Sequence, residues 1–184
     1  MIDLHMHSTF SDGELIPSEV VSRALFAGYT HLAITDHVDP SNVENVVERM
    51  VHVCSQLRGK VRAQVYPGVE ITHVPPRLIA PLAAIRAKVN ILAHPGLLSE
   101  EEATLARKNG VLLEITARKG HSLTNGHVAR MAMKTGARLV YNTDSHSPGD
   151  FTPWEAALQI IRGSGLTEKD AARMQANARE LVER

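Results

Sequence analysis

The chain is 184 residues long, enough for a sizeable core, and its twenty basic and twenty acidic side chains cancel to a formal net charge of zero. That balance leaves no electrostatic footprint for long nucleic acid, no stretch approaches the ~20 apolar residues of a membrane span, and the lone Cys54 excludes an internal disulfide. A soluble, cytoplasmic protein in a reducing compartment is the expectation.

Apolar residues make up 43% and aromatics only 4%, so the core is expected to be mostly aliphatic, whereas histidine is abundant, with ten copies. Ile2 and Leu4 alternate with Asp3 and His5, the period-two signature of a strand, so His5 and His7 face one side at its end. Residues 9–13 read as a polar loop. A helix over 17–27 carries Val20, Val21, Ala24 and Leu25 on one face and stops at Gly28. Residues 31–35 form a short buried strand ending at Asp36-His37. Ser41 and Glu44 read as a capping box for a helix on which Val43, Val46, Val47, Met50, Val51, Cys54 and Leu57 recur at helical spacing, with Gly59 as its close. Cys54 lies on that apolar stripe and reads as core.

Residues 61–71 make the next strand, broken near Pro67-Gly68 and carrying Glu70. A turn at Pro75 and Pro76 leads to a helix over 82–88 and a strand over 89–93 that ends in His94-Pro95-Gly96. Ser99 and Glu102 form a second capping box, and Gly110 ends that helix. A fifth strand, 111–115, precedes a polar loop with Arg118, Lys119 and His121; a helix over 126–135 and a sixth strand, 137–142, follow. The sixth strand runs into Asp144-Ser145-His146. One helix begins at Trp154 and the last begins at Thr167 and Asp170; a seventh strand, if present, would lie in 160–166. The last two helices, with the Ala171 to Ala178 face, are surfaces for an interface or for packing. Strands alternating with helices at this spacing mean βαβ units, hence a single α/β domain over residues 1–184 with a mostly parallel sheet.

The chemistry-bearing residues sit at strand ends. His5 and His7 follow the first strand, His37 the second, Glu70 ends the third, His94 follows the fourth, and Asp144 and His146 the sixth. Asp12 and His121 lie in the loops after the first and fifth. In parallel α/β folds the carboxyl ends of the strands share one face, where sites are built. Nine nitrogen and oxygen donors exceed the four of a tetrahedral ion and suffice for two or three, with a carboxylate such as Glu70 bridging. Imidazole with carboxylate suits Zn, Mn or Fe. A bound metal lowers the pKa of its water to about 7, which implies metal-assisted hydrolysis.

These motifs resemble those of the PHP (polymerase and histidinol phosphatase) domain family. Asp3-Leu4-His5-Met6-His7-Ser8 with Ser11-Asp12-Gly13, then Thr35-Asp36-His37, Pro67-Gly68-Val69-Glu70, Ala93-His94-Pro95 and Asp144-Ser145-His146 follow in the family's order. The resemblance implies a distorted barrel of about seven βα units and a trinuclear centre. It also implies ligand roles for His5, His7, Asp12, His37, Glu70, His94, His121, Asp144 and His146.

Asp36 either orients the neighbouring His37 or caps a turn; with Asp144 and His146 it completes the catalytic group expected here. Arg118, Lys119 and Arg77 are the candidates to hold a substrate phosphate, Arg bidentately and Lys as a point charge. Glu114, within a strand, either faces the interior or pairs locally. His73 is a further candidate to line the pocket. The leading expectation is a phosphoesterase acting on a small phosphorylated metabolite, with histidinol phosphate suggested by the family name. The alternatives are a nuclease or phosphodiesterase on short oligonucleotides, and a non-catalytic module. An amidohydrolase-type barrel also begins with HxH but typically needs about 250 residues.

Overall fold

The computed structural model describes residues 1–72 and 89–183, and two compact units emerge from its contacts. The first comprises Met1–Val74 with Thr143–Trp154, the second Pro75–Asn142 with Glu155–Arg184. Arg77, His73, the Pro75-Pro76 turn and the helix expected over 82–88 lie outside the described residues.

In the first unit β1 (Ile2–Asp3), β2 (His31–Ile34) and β4 (Gln64–Pro67) form one parallel sheet in the order β1-β2-β4, while β3 (His37–Val38) pairs with β5 (Glu70–Ile71), also parallel. The break at Pro67-Gly68 therefore separates two short strands, as the proline there demands. Helix α1 (Pro17–Phe26) starts with proline at its first position, where no amide donor is needed, and buries Val20, Val21 and Ala24. Helix α2 (Val43–Leu57) buries Val46, Met50 and Cys54. Of these, Val20, Val21, Ala24, Met50 and Cys54 meet Met6, Leu32, Ile34 and Val65 in one mostly aliphatic core; truncating Leu32 or Ile34 to alanine there would cost about 2–5 kcal/mol.

The second unit is built on β6 (Ile91–Leu92), β7 (Leu112–Thr116) and β8 (Leu139–Asn142), again parallel and in that order. All five residues of central strand β7 are buried, the pattern of a parallel strand covered on both faces. Of its helices, α3 (Glu100–Asn109) and α4 (Asn125–Thr135) pack on β7; with α5 (Trp154–Gly163) and α6 (Glu168–Val182) they bury mostly alanine, valine and isoleucine. Ala171, Met174 and Ala178 of α6 are all buried and the helix packs on β8, so within the second unit this face serves packing.

Two expectations are corrected. Helix α2 is not opened by a Ser41–Glu44 capping box: its N-cap is Asn42, and Asp39 takes both the amide (2.7 Å) and the hydroxyl (2.5 Å) of Ser41. Residues 160–163 are helical rather than a strand, because Ala157 and Ile161 form a helical stripe. The second expected box, Ser99 with Glu102, is present in full, and Thr167 with Asp170, expected only as the start of the last helix, forms another. Among the described residues the strands make three separate parallel sheets and no closed one. No helix among them is long and apolar enough to cross a membrane.

Candidate metal centre

Beyond Asp3 the first strand continues as a single parallel bridge, Met6 opposite Ser145. The amide of His7 donates to the Ser145 carbonyl (2.8 Å), and that of Asp144 to the His5 carbonyl (3.0 Å). In this register His5 lies beside Asp144 and His7 beside His146, whose rings stack with centroids 4.0 Å apart. Met6 is fully buried in the core, so alternation turns His5 and His7 to the opposite side. The pairing of β3 with β5 likewise sets His37 directly opposite Glu70.

Asp12 reaches the same cluster from the loop over residues 8–13. The amides of Ser11 (3.1 Å) and Gly13 (3.0 Å) both donate to the Ser8 carbonyl. A Cβ on Gly13 would come 2.6 Å from the His7 carbonyl, so only glycine permits this close approach. The buried carboxylate of Asp36 accepts from the Ser8 amide (2.8 Å), the Ser8 hydroxyl (2.7 Å) and the Ser11 hydroxyl (2.7 Å). Its side-chain partners are thus Ser8 and Ser11, at the start and in the middle of the Asp12 loop.

Three carboxylate oxygens are each surrounded by three imidazole nitrogens. Glu70 Oε2 lies 3.2 Å from His5 Nε2, 3.4 Å from His7 Nε2 and 3.1 Å from His37 Nδ1. Asp144 Oδ1 lies 3.3 Å from His7 Nε2, 3.3 Å from His146 Nδ1 and 3.8 Å from His5 Nε2. Asp12 Oδ1 lies 3.2 Å from His146 Nε2, 3.4 Å from His37 Nε2 and 3.8 Å from His7 Nδ1. Two overlapping groups, His7-Asp12-His37-His146 and His5-His7-Asp144, each bring one donor atom per residue within 4.8 Å of the others.

The electrostatics follow. Burial opposes ionisation of Asp144, but the close contact with His7 and the charges of His5, His7 and His146 prevail and bring its pKa down to about 2. Asp12 moves below the usual carboxylate range in the same way, burial being outweighed by His146, His37 and His7. Burial lowers the pKa of His7 despite the neighbouring Asp144. Asp3 has no cationic ring against it strong enough to offset its complete burial, and is pushed up to about 7.

The donor set fits divalent metal ions on a specific ground. A neutral imidazole has one N–H and one lone pair. Neither nitrogen of His7 makes a hydrogen bond among the described residues, although carboxylate oxygens face both. In His146, Nδ1 meets the Asp144 carbonyl at 3.0 Å and must donate to it, which leaves the Nε2 lone pair facing Asp12 Oδ1 at 3.2 Å. Lone pair against carboxylate is repulsive; a shared cation removes the repulsion at both rings.

In the second unit His94 and His121 are neighbours, with ring centroids 4.0 Å apart. His94 adopts a left-handed backbone, with φ of 28°, and its amide donates to Glu114 Oε2 (2.8 Å). Glu114 Oε1 in turn accepts from Asn142 Nδ2 (2.7 Å), so this buried acid pairs locally. His121 opens an exposed 3-10 turn, His121–Thr124, and Arg118 and Lys119 lie in the segment between it and β7. Asp3 and Glu114 were not among the candidate site residues, although Asp3 shares the odd-numbered face of His5 and His7 and that parity was the available signal.

Comparison with known proteins supplies three findings. A family model described as "PHP domain" matches residues 3–110. An uncharacterised protein of Methanocaldococcus jannaschii is 36% identical, covering 91% of each chain, and the 5'-3' exoribonuclease Rnm of Salmonella typhimurium is 27% identical over 89% of this chain and 62% of its own length. Among solved structures, histidinol phosphate phosphatase of Lactococcus lactis, complexed with zinc, L-histidinol and phosphate, superposes with a TM-score of 0.63 at 16% identity, covering 90% of this chain and 94% of that one.

Proposed function

Because this chain belongs to the PHP domain family, we propose that it is a metal-dependent phosphoesterase that hydrolyses a small phosphomonoester of the histidinol phosphate kind. The carrying observation is the set of carboxylate oxygens on Asp12, Glu70 and Asp144, each ringed by imidazole nitrogens. Divalent ions bound there would supply charge stabilisation at a phosphoryl oxygen and an acidified water. His5, His7, His37 and His146 would donate ring nitrogens, and Glu70 would be the shared carboxylate, since one of its oxygens meets three rings. Asp144 and His146 would hold the reacting centre. Asp12, with its side chain 57% exposed against 0% for His7, marks the edge from which substrate would enter.

His94 and His121 are proposed as further ligands, giving two to three ions of Zn, Mn or Fe. Arg118 would clamp the substrate phosphate bidentately and Lys119 would add a point charge, with Arg77 in the same role. Asp36 acts by holding the Asp12 loop. The Lactococcus enzyme, of the same fold, supports a phosphomonoester substrate; the relative named an exoribonuclease supports a second reading, cleavage of short oligonucleotides.

The test is product release by protein reconstituted separately with Mn, Zn and Fe, with Asp144→Ala as blank. The panel holds histidinol phosphate, other small phosphomonoesters and short oligonucleotides. Free phosphate from monoesters alone is the expected result. Mononucleotides from oligomers would establish the second reading instead, and no product from any substrate with metal bound would overturn both.

A further inference from the structure

Asp3 is fully buried on the face that bears His5 and His7, yet its carboxylate touches none of the imidazoles. It accepts two backbone amides instead. Oδ1 takes the N–H of His5 (3.1 Å) and Oδ2 the N–H of Thr143 (3.0 Å), 140 positions further along the chain. The next amide, that of Asp144, donates to the His5 carbonyl (3.0 Å). Asp144 itself is left-handed, with φ of 55°, a conformation that side chains other than glycine seldom adopt. The kinked segment is therefore held from one side by two successive amides, the first on the Asp3 side chain and the second on the His5 backbone. Further along, His7 donates to the Ser145 carbonyl (2.8 Å), which closes the pairing. In the 143–146 segment, Thr143 and Ser145 hydroxyls also meet at 2.6 Å, so it has its own bracing once it is seated.

We propose that Asp3 is a positioning residue for the metal centre, its carboxylate clamping the backbone of His5 to that of Thr143 so that the His5/His7 pair and the Asp144/His146 pair present their donors at one spacing. This rests on the metal-centre reading above. The carboxylate suits the task because it offers two acceptor oxygens and no donor. Asparagine has nearly the same shape, but its amide nitrogen would face one of the two N–H groups as donor against donor. One amide would lose its partner, and the Asp144 segment would be free to relax from its left-handed turn. The effect falls on ligand spacing, and outer partners of metal ligands characteristically govern affinity.

The experiment compares wild type with Asp3→Asn, both stripped of metal and titrated with Co(II), reading the visible absorption band, the stoichiometry and the thermal midpoint with and without metal. The expected result is a Co(II) affinity lower by about 10- to 100-fold in Asp3→Asn, with an altered band, alongside a lower metal-free midpoint from the unpaired amide. An unchanged affinity and band, whatever happens to the metal-free midpoint, would show that Asp3 only supports the fold and would overturn the proposal. If wild type itself takes up no Co(II), Mn(II) or Zn(II), the metal-centre reading falls first and this inference with it. Should Asp3→Asn be insoluble, Asp3→Ser leaves space for water to accept both amides and is read by the same titration, again with weakened Co(II) binding expected and unchanged binding decisive against.

Discussion

The two units hold their candidate ligands by different means. In the first, six of the seven candidates lie on or beside paired backbone: His5 and His7 against Asp144 and His146, and His37 opposite Glu70. Only Asp12 is on a loop, and that loop is tied to the buried Asp36. In the second unit His94 and His121 are half-buried and exposed, one on a strained residue after β6 and one on a 3-10 turn. A pleated, paired backbone fixes side-chain spacing; a turn fixes it only through its own local hydrogen bonds. The first unit should therefore carry most of the metal affinity, and loss of His94 or His121 should change metal content less.

The largest effect that would break this contrast comes from single ligand removal. Asp144→Ala should lower turnover by on the order of 10³-fold or more, the upper range for loss of one charge-stabilising group, and release metal measurable by elemental analysis. His121→Ala should do much less to metal content. If His121→Ala emptied the protein of metal while Asp144→Ala left it loaded, the ranking of the two units would be reversed.

Next in size are the residues that hold the ligands. Asp36→Ala strips acceptors from the Ser8 amide and from two hydroxyls, and should cost about 1–3 kcal/mol in urea unfolding. It should also weaken metal binding about 10- to 100-fold through Asp12. Glu114→Gln is its counterpart in the second unit: one acceptor oxygen becomes an NH2 donor, so either the His94 N–H or the Asn142 side chain loses its acceptor. Its effect on metal affinity should be the smaller of the two, at the low end of the same range. Equal losses in both variants would mean that His94 matters as much as the candidate ligands of the first unit.

The same contrast explains what was legible before the structure. The period-two alternation of Ile2 and Leu4 with Asp3 and His5 exposed His5 and His7 as one face, and the strand ends located His37, Glu70, Asp144 and His146. Parallel strands between helices followed from spacing, and the box at Ser99 and the helix start at Thr167 from local chemistry. The clamps were not legible, because their partners are remote: Asp36 acts on Ser8 and Ser11, 28 and 25 positions away, and Asp3 on Thr143, 140 away. The false cap at Ser41 failed for a local reason of equal interest. Asp39 competes for the serine hydroxyl and amide, and the helix starts one residue later than the serine suggested.

The smallest effect belongs to a place where no ligand is involved, the start of α6 in the second unit. Thr167 and Asp170 cap each other's backbone, the Thr167 hydroxyl accepting from the Asp170 amide (3.3 Å) and the Asp170 carboxylate from the Thr167 amide (3.0 Å). The Thr167 hydroxyl also donates to that carboxylate at 2.6 Å, and these bonds hold the Asp170 pKa below its ordinary value. A depressed folded pKa means stability that is present above the unfolded value, about 3.9, and is lost as pH falls through the folded one. Thr167→Ala should therefore cost about 1 kcal/mol in urea unfolding of the metal-free protein at pH 7. The gap from wild type should narrow below pH 4, where protonated Asp170 no longer draws as much from its cap. Metal stoichiometry at pH 7 should be unchanged. If capping α6 altered metal content, stability in the second unit would be coupled to the candidate ligands after all, and the ranking of the two units would not hold.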